Sequence, residues 1–88
     1  MKRHQFKERA EALGFNVVFE DMRTDVPRGI VIRTTYVKAD GFILATISEH
    51  RRFSAVFNAE LVTLLNPNTQ AALYKLICSY DYTEIDAR

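Results

Sequence analysis

The sequence predicts an α+β fold, a four-stranded antiparallel meander with one N-terminal helix and two C-terminal helices. Three observations carry this prediction. Apolar residues recur at helical spacing near both ends, β-branched and alternating runs fill the middle, and short turn signals separate those runs. Consecutive strands joined by short turns favour antiparallel pairing, and helices that lie outside the strand region are typical of α+β domains.

The first helix is predicted over residues 2–13. Phe6, Ala10 and Leu13 fall at i, i+4 and i+7, which places them on one helical face. Gly14 follows directly, at the position where a residue in the left-handed conformation commonly ends a helix. The apolar face of this helix is therefore expected to face the sheet.

Four strands are predicted in the middle of the chain, and turn signals separate them. The strands cover 15–20, 30–37, 42–48 and 53–57. Residues 21–29 hold four charges, a proline and a glycine, which predicts a loop. Asp40-Gly41 indicates a tight hairpin, because glycine accepts a positive φ without penalty and aspartate tolerates it. The polar stretch 49–52 turns the chain into the fourth strand.

Two helices are predicted after the sheet. Asn58 is a good N-cap for a short helix over 59–65. Asn66 caps a second helix over about 67–80, and Pro67 suits its first turn because the missing N–H has no intrahelical partner there. The predicted core is Phe6, Leu13, Phe15 or Phe19, Ile32, Leu44, Phe53 or Phe57, Leu61, Leu65, Leu73, Leu76 and Ile77.

Length and composition narrow the class of protein. The 88 residues suit one small domain, 1–88, and are too few for two that fold unaided. Hydrophobic residues make up 48% and charged residues 26%, which excludes a disordered chain. The net charge of +1 argues against a strongly basic nucleic-acid binder and against an acidic mimic of DNA.

A few residue types and apolar runs determine what we expect of the cellular compartment and of bound cofactors. Cys78 is the single cysteine, so no intramolecular disulfide is expected. One cysteine and two histidines lack metal-ligand spacing, and the glycines are isolated, so neither a metal nor another cofactor is expected. The N-terminus has no apolar signal region, and the longest apolar run, 42–45, is far below the roughly 20 residues that span a membrane. We expect a cytoplasmic protein with no membrane partner.

Catalytic constellations are weak, and we expect no enzyme. Ser48 and His50 share one face of an extended strand, with Asp40 or Glu49 as a nominal acid. A nucleophile needs a base and an orienting acid that converge in space, and a small protein offers such trios by chance.

Basic residues cluster around the predicted sheet. The segment 23–57 holds six Lys and Arg against three Asp and Glu, whereas 58–88 holds two against four. Guanidinium groups present a planar fork to phosphate, so this region is the candidate basic contact for nucleic acid, although a solvated hairpin turn is the simpler explanation and the one we favour. The residues are Arg28, Arg33, Lys38, His50, Arg51 and Arg52.

The third predicted strand is apolar on both faces. Phe42 and Leu44 point one way, and Ile43, Ala45 and Ile47 point the other. One helical layer covers one sheet face, so the second face would be a candidate interaction surface. Its residues would be Val31, Ile43, Ile47 and Val56. Helices on both faces, a sheet curled around its own core, or a second copy would each cover it, and we favour a homodimer.

The chain ends in a helix and tail, residues 73–88, with the sequence LYKLICSYDYTEIDAR. This segment resembles the ending of small uncharacterised phage and prophage proteins of Gram-positive bacteria, in which a leucine-rich helix runs into Tyr/Phe-Ala-x-Thr-Pro-Ile-x-x-Arg. The matching residues are Leu76, Ile77, Tyr80, Thr83, Ile85 and Arg88. Asp81 and Glu84 depart from the pattern, where a small residue and a proline are common.

The resemblance covers about 16 of the 88 residues and carries no catalytic motif. It implies a phage-type accessory protein with a sheet followed by C-terminal helices. The functional hypothesis is a non-catalytic protein-interaction module of phage or prophage origin, with a host-directed regulator or inhibitor as one version. The alternative is a nucleic-acid-associated accessory protein that uses the basic region.

Overall fold

The computed structural model describes residues 1–23 and 31–88 and has the predicted α+β architecture. Its four strands form one antiparallel sheet in the order β1-β2-β3-β4. The elements are α1 Arg3–Ala12, β1 Asn16–Arg23, β2 Val31–Ala39, β3 Phe42–Ser48, β4 Val56–Phe57, α2 Ala59–Val62, α3 Pro67–Asp81 and a terminal 3-10 turn, Ile85–Ala87.

Local signals in the sequence place the turns and helix ends. Asp40 and Gly41 connect β2 to β3 with φ values of 50° and 82°, the pair of positive values that a tight type I′ hairpin requires. Gly14 ends α1 with a φ of 96°, as predicted. Asn58 Oδ1 accepts from Leu61 N–H at 3.3 Å, and Asn66 Oδ1 accepts from the N–H of residue 68 at 2.8 Å, so both predicted caps are confirmed.

Strand β1 is longer than predicted. Residues 21–23 were expected to open a loop, yet they pair with 31–33 of β2, and Asp21 Oδ1 lies 3.6 Å from Arg33 Nε across the two strands. An opposite-charge pair directly across a sheet stabilises the pairing, which turns a polar loop signal into a strand. The rest of the predicted loop, 24–29, lies outside the described residues.

Strand β4 is shorter than predicted, because the carboxylate and carbonyl of Asp81 bind the backbone that would have formed its first half. Phe53 N–H donates to Asp81 O at 3.3 Å, and Ser54 and Ala55 N–H donate to the two carboxylate oxygens at 3.1 Å. Successive amides around one anion form a nest, and Phe53 has a φ of 59° to make it. Only Val56 and Phe57 remain to pair with β3.

A bulge in the β2–β3 pairing changes which residues face the core. Val37 pairs with Ala45 but Lys38 pairs with Ile43, so Leu44 is an extra residue on β3. Leu44 and Ala45 are both buried, although strict alternation predicted that they face opposite ways. Alternation resumes after the bulge, with Ile47 inside the core.

The helices pack on one face of the sheet. Buried residues on the strands share one side, and they form a single cluster with residues of α1, α2 and α3. The Phe6 ring of α1 stacks on the Tyr80 ring of α3 with centroids 4.4 Å apart. The core residues are Phe6, Ala10, Phe15, Val17, Val37, Leu44, Ala45, Ile47, Val62, Leu73, Leu76, Ile77 and Tyr80.

Two expected core residues, Leu13 and Ile32, are exposed instead, and of the alternatives Phe53 and Phe57 it is Phe57 that packs against the core. Leu13 lies at the end of α1, Phe53 lies in the turn held by Asp81, and Ile32 lies beyond the last β3 residue that pairs with β2. Each of them is apolar, but the helical layer does not reach it. Seven core residues are absent from the expected set, and they are Ala10, Val17, Val37, Ala45, Ile47, Val62 and Tyr80.

We predict that Leu73→Ala lowers the free energy of unfolding by about 2–5 kcal/mol, because Leu73 is fully buried and its truncation leaves a cavity. Leu64→Ala is the matched control, since Leu64 is 81% exposed and its truncation should change stability by less than about 0.5 kcal/mol. Urea unfolding followed by circular dichroism measures both. Equal losses in the two variants would contradict the docking of α3 on the sheet.

Candidate functional site

The bulge divides the four residues of the predicted apolar surface. Ile43 and Val56 are exposed on the side of the sheet opposite the helices, and Val56 is 67% exposed. Ile47 is 0% exposed, so its assignment to the open surface is wrong: the extra Leu44 puts Ile43 and Ile47 on opposite faces. Val31 is half-buried and alternates in phase with the core residue Val37, so it belongs to the helix-covered side of β2.

The face opposite the helices nonetheless carries a row of mostly apolar side chains, and this side of the sheet is here called the open sheet face. A single cross-strand row runs from β1 to β4, because Val18 pairs with Tyr36, Tyr36 with Thr46 and Thr46 with Val56. Within residues 1–23 and 31–88, no helix packs on this side. The open sheet face consists of Val18, Ile32, Tyr36, Ile43, Thr46 and Val56.

The predicted basic contact is not gathered into one surface. Arg33 faces Asp21 at 3.6 Å, and its backbone N–H donates to His50 Nε2 at 2.9 Å. Lys38 lies five residues further along β2, about 16 Å away at the rise of an extended strand. Arg51 is exposed. Arg28 lies outside the described residues.

Arg52 has a structural role. Its Nη1 donates to Glu84 Oε1 at 2.9 Å, and its Nε donates to the Tyr82 carbonyl oxygen at 2.8 Å. Tyr82 follows the last residue of α3, so this cation lies at the C-terminal end of a helix dipole. The guanidinium also lies over the ring of the neighbouring Phe53 at 4.7 Å, and its hydrogen bonds join the turn after β3 to the end of α3.

The nominal catalytic trio does not converge. His50 Nε2 accepts a backbone N–H from Arg33, and Ser48 Oγ accepts the backbone N–H of His50 at 3.1 Å. Asp40 lies in the hairpin turn at the far end of β3. Glu49 is buried under the helices and has other partners, which form the most polar site in the core.

Glu49 is the centre of a buried polar cluster. Its side chain is 3% exposed and accepts hydrogen bonds from three elements. Tyr80 OH lies 2.9 Å from each carboxylate oxygen, Thr35 Oγ1 donates to Oε1 at 2.7 Å, and Arg3 Nη2 donates to Oε2 at 3.1 Å. A buried carboxylate is tolerated when charged partners and several donors satisfy it together.

Arg88 completes the cluster from the C-terminal side. Its side chain is 1% exposed, and Nη1 lies 3.7 Å from Glu49 Oε1 while Nη2 lies 3.7 Å from Asp81 Oδ1. The guanidinium donates to the carbonyl oxygens of Ser48, Asp81 and Thr83 at 2.9–3.2 Å. It lies over the Tyr80 ring at 4.8 Å. Two guanidinium groups thus balance two buried carboxylates.

This environment holds Tyr80 in its protonated form. Burial, together with the hydrogen bond and negative charge of Glu49, raises the pKa of the Tyr80 hydroxyl to about 12, and the Arg3 guanidinium offsets part of this rise. A tyrosinate at this position would lie beside a carboxylate in a dry interior. Tyr80 therefore acts as a donor to Glu49 and is poorly suited to give up its proton.

Sequence reasoning missed the Glu49 cluster, although two signals pointed towards it. Ala45, Ile47 and Glu49 alternate along β3, so a residue assigned to a turn continues the buried face. Tyr80 and Arg88 both match the phage-type ending, and both are buried in the cluster. Packing of the C-terminal segment onto the sheet therefore accounts for Tyr80 and Arg88, whereas the matched Ile85 is exposed.

Other site types find no support in the described part of the chain. No three His, Cys, Asp or Glu side chains in residues 1–23 and 31–88 lie together as a metal site requires. None of the helices among these residues has the length and apolar character needed to cross a bilayer.

Comparison with protein-family models, curated proteins and solved structures finds no match to this chain.

We predict that Arg88→Met lowers the free energy of unfolding by about 3–5 kcal/mol, because it removes the buried positive charge beside the carboxylates of Glu49 and Asp81. Arg51→Met removes the same charge from an exposed side chain and should change stability by less than about 0.5 kcal/mol. Thermal and urea unfolding compare the two. If both variants unfold like the parent, the Arg88 contacts do not stabilise the fold.

We also predict an alkaline loss of stability that depends on Tyr80. Its pKa is about 12 in the folded chain and about 10 in the unfolded chain. Below pH about 10 the Tyr80 hydroxyl keeps its proton in both the folded and the unfolded state, so its contribution to stability is fully present. Between pH about 10 and 12 the unfolded chain releases this proton first, and the free energy of unfolding therefore falls as the pH rises.

Tyr80→Phe should be less stable at neutral pH but should lack this part of the alkaline loss, which is on the order of 2 kcal/mol. Tyr82→Phe, at an exposed tyrosine, is the control and should retain it. Urea unfolding at pH 8, 9.5 and 11 gives the comparison. Parallel pH profiles for the parent and Tyr80→Phe would contradict the role of Tyr80.

Proposed function

We propose that this chain is a non-catalytic protein-interaction domain whose open sheet face binds a second copy of itself. One observation carries the proposal: the helices lie on one face of the sheet, and the apolar row from Val18 to Val56 crosses the other. Contiguous apolar patches of more than a few hundred Å² are uncommon on monomers. Burial of such surface contributes about 25 cal/mol per Å².

The charges on the open sheet face suit two-fold packing. Lys38 lies two residues to one side of Tyr36 on β2, and Thr34 lies two residues to the other side, next to Glu20 on β1. A two-fold axis along the apolar row would bring Lys38 of one copy towards Glu20 of the other. Such an arrangement pairs opposite charges on both sides of the apolar row, and two-fold dimers are the commonest protein assembly.

The polar chemistry of the core supports a role without catalysis. Both carboxylate oxygens of Glu49 accept hydrogen bonds from internal donors, and those of Asp81 accept backbone amides. A general base or nucleophile needs an available lone pair at a surface that substrate can reach. The lone pairs of these carboxylates instead accept hydrogen bonds that connect different elements of the fold.

A phage or prophage origin of the chain is part of the same proposal. In the version in which the domain is a regulator or inhibitor, a host protein is its further partner. Support comes from the C-terminal pattern of Leu76, Ile77, Tyr80 and Arg88, all of which pack or pair in the interior. The pattern thus supports a common way of packing the C-terminal segment against the core in proteins with this ending. An intracellular location is consistent with the proposed role as a regulator or inhibitor.

We predict that the unmutated chain is a dimer at tens of micromolar and that Ile43→Glu converts it to a folded monomer, because two like charges would oppose each other in a closed apolar contact. Leu64→Gln, on the helix-covered side of the sheet, is the control and should remain dimeric. Light scattering gives the mass and circular dichroism confirms the fold.

A monomeric parent chain at that concentration would show the self-association proposal to be wrong. A separate outcome would favour the nucleic-acid alternative: a DNA gel shift at low salt that weakens steeply as salt is added, since phosphate contacts release counterions.

A further inference from the structure

A second apolar surface lies on the helix-covered side, where the β2–β3 hairpin meets α2. It is a groove of about 440 Å³, here called the end groove. This volume falls within the range of sites that accept a large side chain or a small ligand. The residues that define it are Asp40, Phe42, Leu44, Leu61, Leu64 and Leu65. It shares none of them with the open sheet face.

The apolar walls of the end groove are unusually open. Phe42 is 61% exposed and Leu64 is 81% exposed, whereas Leu44 is buried and forms the floor. Leu61 and Leu65 are half-buried against the core. Large apolar side chains grouped around a concave surface mark sites for a partner more often than isolated exposed residues do.

The groove is preformed. Leu64 N–H donates to Leu61 O at 3.2 Å, and Leu65 N–H donates to Val62 O at 3.1 Å, so the turn after α2 is hydrogen-bonded. The Leu65 carbonyl in turn accepts Gln70 Nε2 at 2.8 Å from α3. On the opposite wall, the tight turn at Asp40 holds Phe42 in place. Binding in such a groove would require little ordering of the chain.

The charge at the rim of the end groove is negative. Asp40 is the charged residue of the lining, and Glu60, which precedes Leu61 on α2, is exposed but does not line the groove. Lys38, the nearest basic residue along β2, alternates with Val37 and Ala39 and therefore points to the open sheet face. The described lining of the groove thus combines leucine and phenylalanine side chains with a carboxylate and without a cation.

We infer that the end groove binds an amphipathic helix of a partner protein, with apolar side chains in the groove and lysine or arginine beside Asp40. Helices bind apolar grooves through side chains at i, i+3, i+4 and i+7, which match a groove walled by leucines. The acidic rim selects among such helices by charge complementarity. This inference does not depend on the dimer, because the two surfaces lie on opposite sides of the sheet.

The test uses a fluorescein-labelled 15-residue peptide of leucine and lysine, with leucines at helical spacing, and measures fluorescence anisotropy with the full chain. We expect saturable binding that weakens as salt is added. A peptide with glutamate in place of lysine should bind at least about tenfold more weakly. Comparable binding of the two peptides would overturn the inference.

Variants locate the site. Leu64→Gln should weaken binding of the lysine peptide about tenfold, since exposed groove residues at the centre of a contact dominate affinity. Asp40→Asn should weaken it less and reduce its salt dependence, and asparagine tolerates the positive φ of this turn. Val56→Gln, on the open sheet face, is the matched control and should bind like the parent.

Two results would overturn the inference for different reasons. Binding that Val56→Gln reduces and Leu64→Gln leaves unchanged would place the peptide on the open sheet face. A change from dimer to monomer in Leu64→Gln would identify a second copy as the occupant of the end groove. Neither the peptide titration nor these variants require the parent chain to be a dimer, so the two proposals fail separately.

Discussion

The arrangement of the helices depends on the buried carboxylate of Glu49. An ionised carboxylate placed in a protein interior without partners costs several kcal/mol, and here its donors come from distant parts of the chain. Thr35 belongs to β2, Tyr80 to α3 and Arg3 to α1, while Arg88 approaches from the C-terminal side. These partners can meet Glu49 only if α1 and α3 lie on the same side of the sheet, where the core residues also lie.

The one-sided helical layer accounts for the two candidate surfaces. Because the helices gather around the Glu49 end of the sheet, the opposite face keeps its apolar row in contact with solvent. At the other end of the sheet, the short α2 covers β3 incompletely and leaves Phe42 and Leu64 open. The polar cluster thus stabilises one end of the molecule, and the two proposed recognition surfaces lie on the far face and at the far end.

Asp81 adds a second constraint at the edge of the sheet. Its carboxylate binds the amides of Ser54 and Ala55, so β4 is reduced to two residues and pairs with β3 only at positions 45 and 46. A longer β4 would have extended the apolar row along the strand direction. The short strand instead leaves a shallow groove of about 310 Å³ beside Ile43 and Val56, at the margin of the proposed dimer contact.

The sequence by itself determined the features that depend on neighbouring residues: the helix caps at Asn58 and Asn66, the Asp40-Gly41 hairpin, the order of elements and hence the fold class. These follow from interactions within a few positions along the chain, where residue type decides the conformation. Only the tertiary structure decided that Ile43 is open while Ile47 is buried, and that Glu49 is a core residue. The bulge depends on strand pairing, and Glu49 depends on donors up to 46 positions away. The local alternation of residues 45, 47 and 49 points to a buried face, but the contacts that stabilise the bulge and the buried carboxylate come from distant parts of the chain.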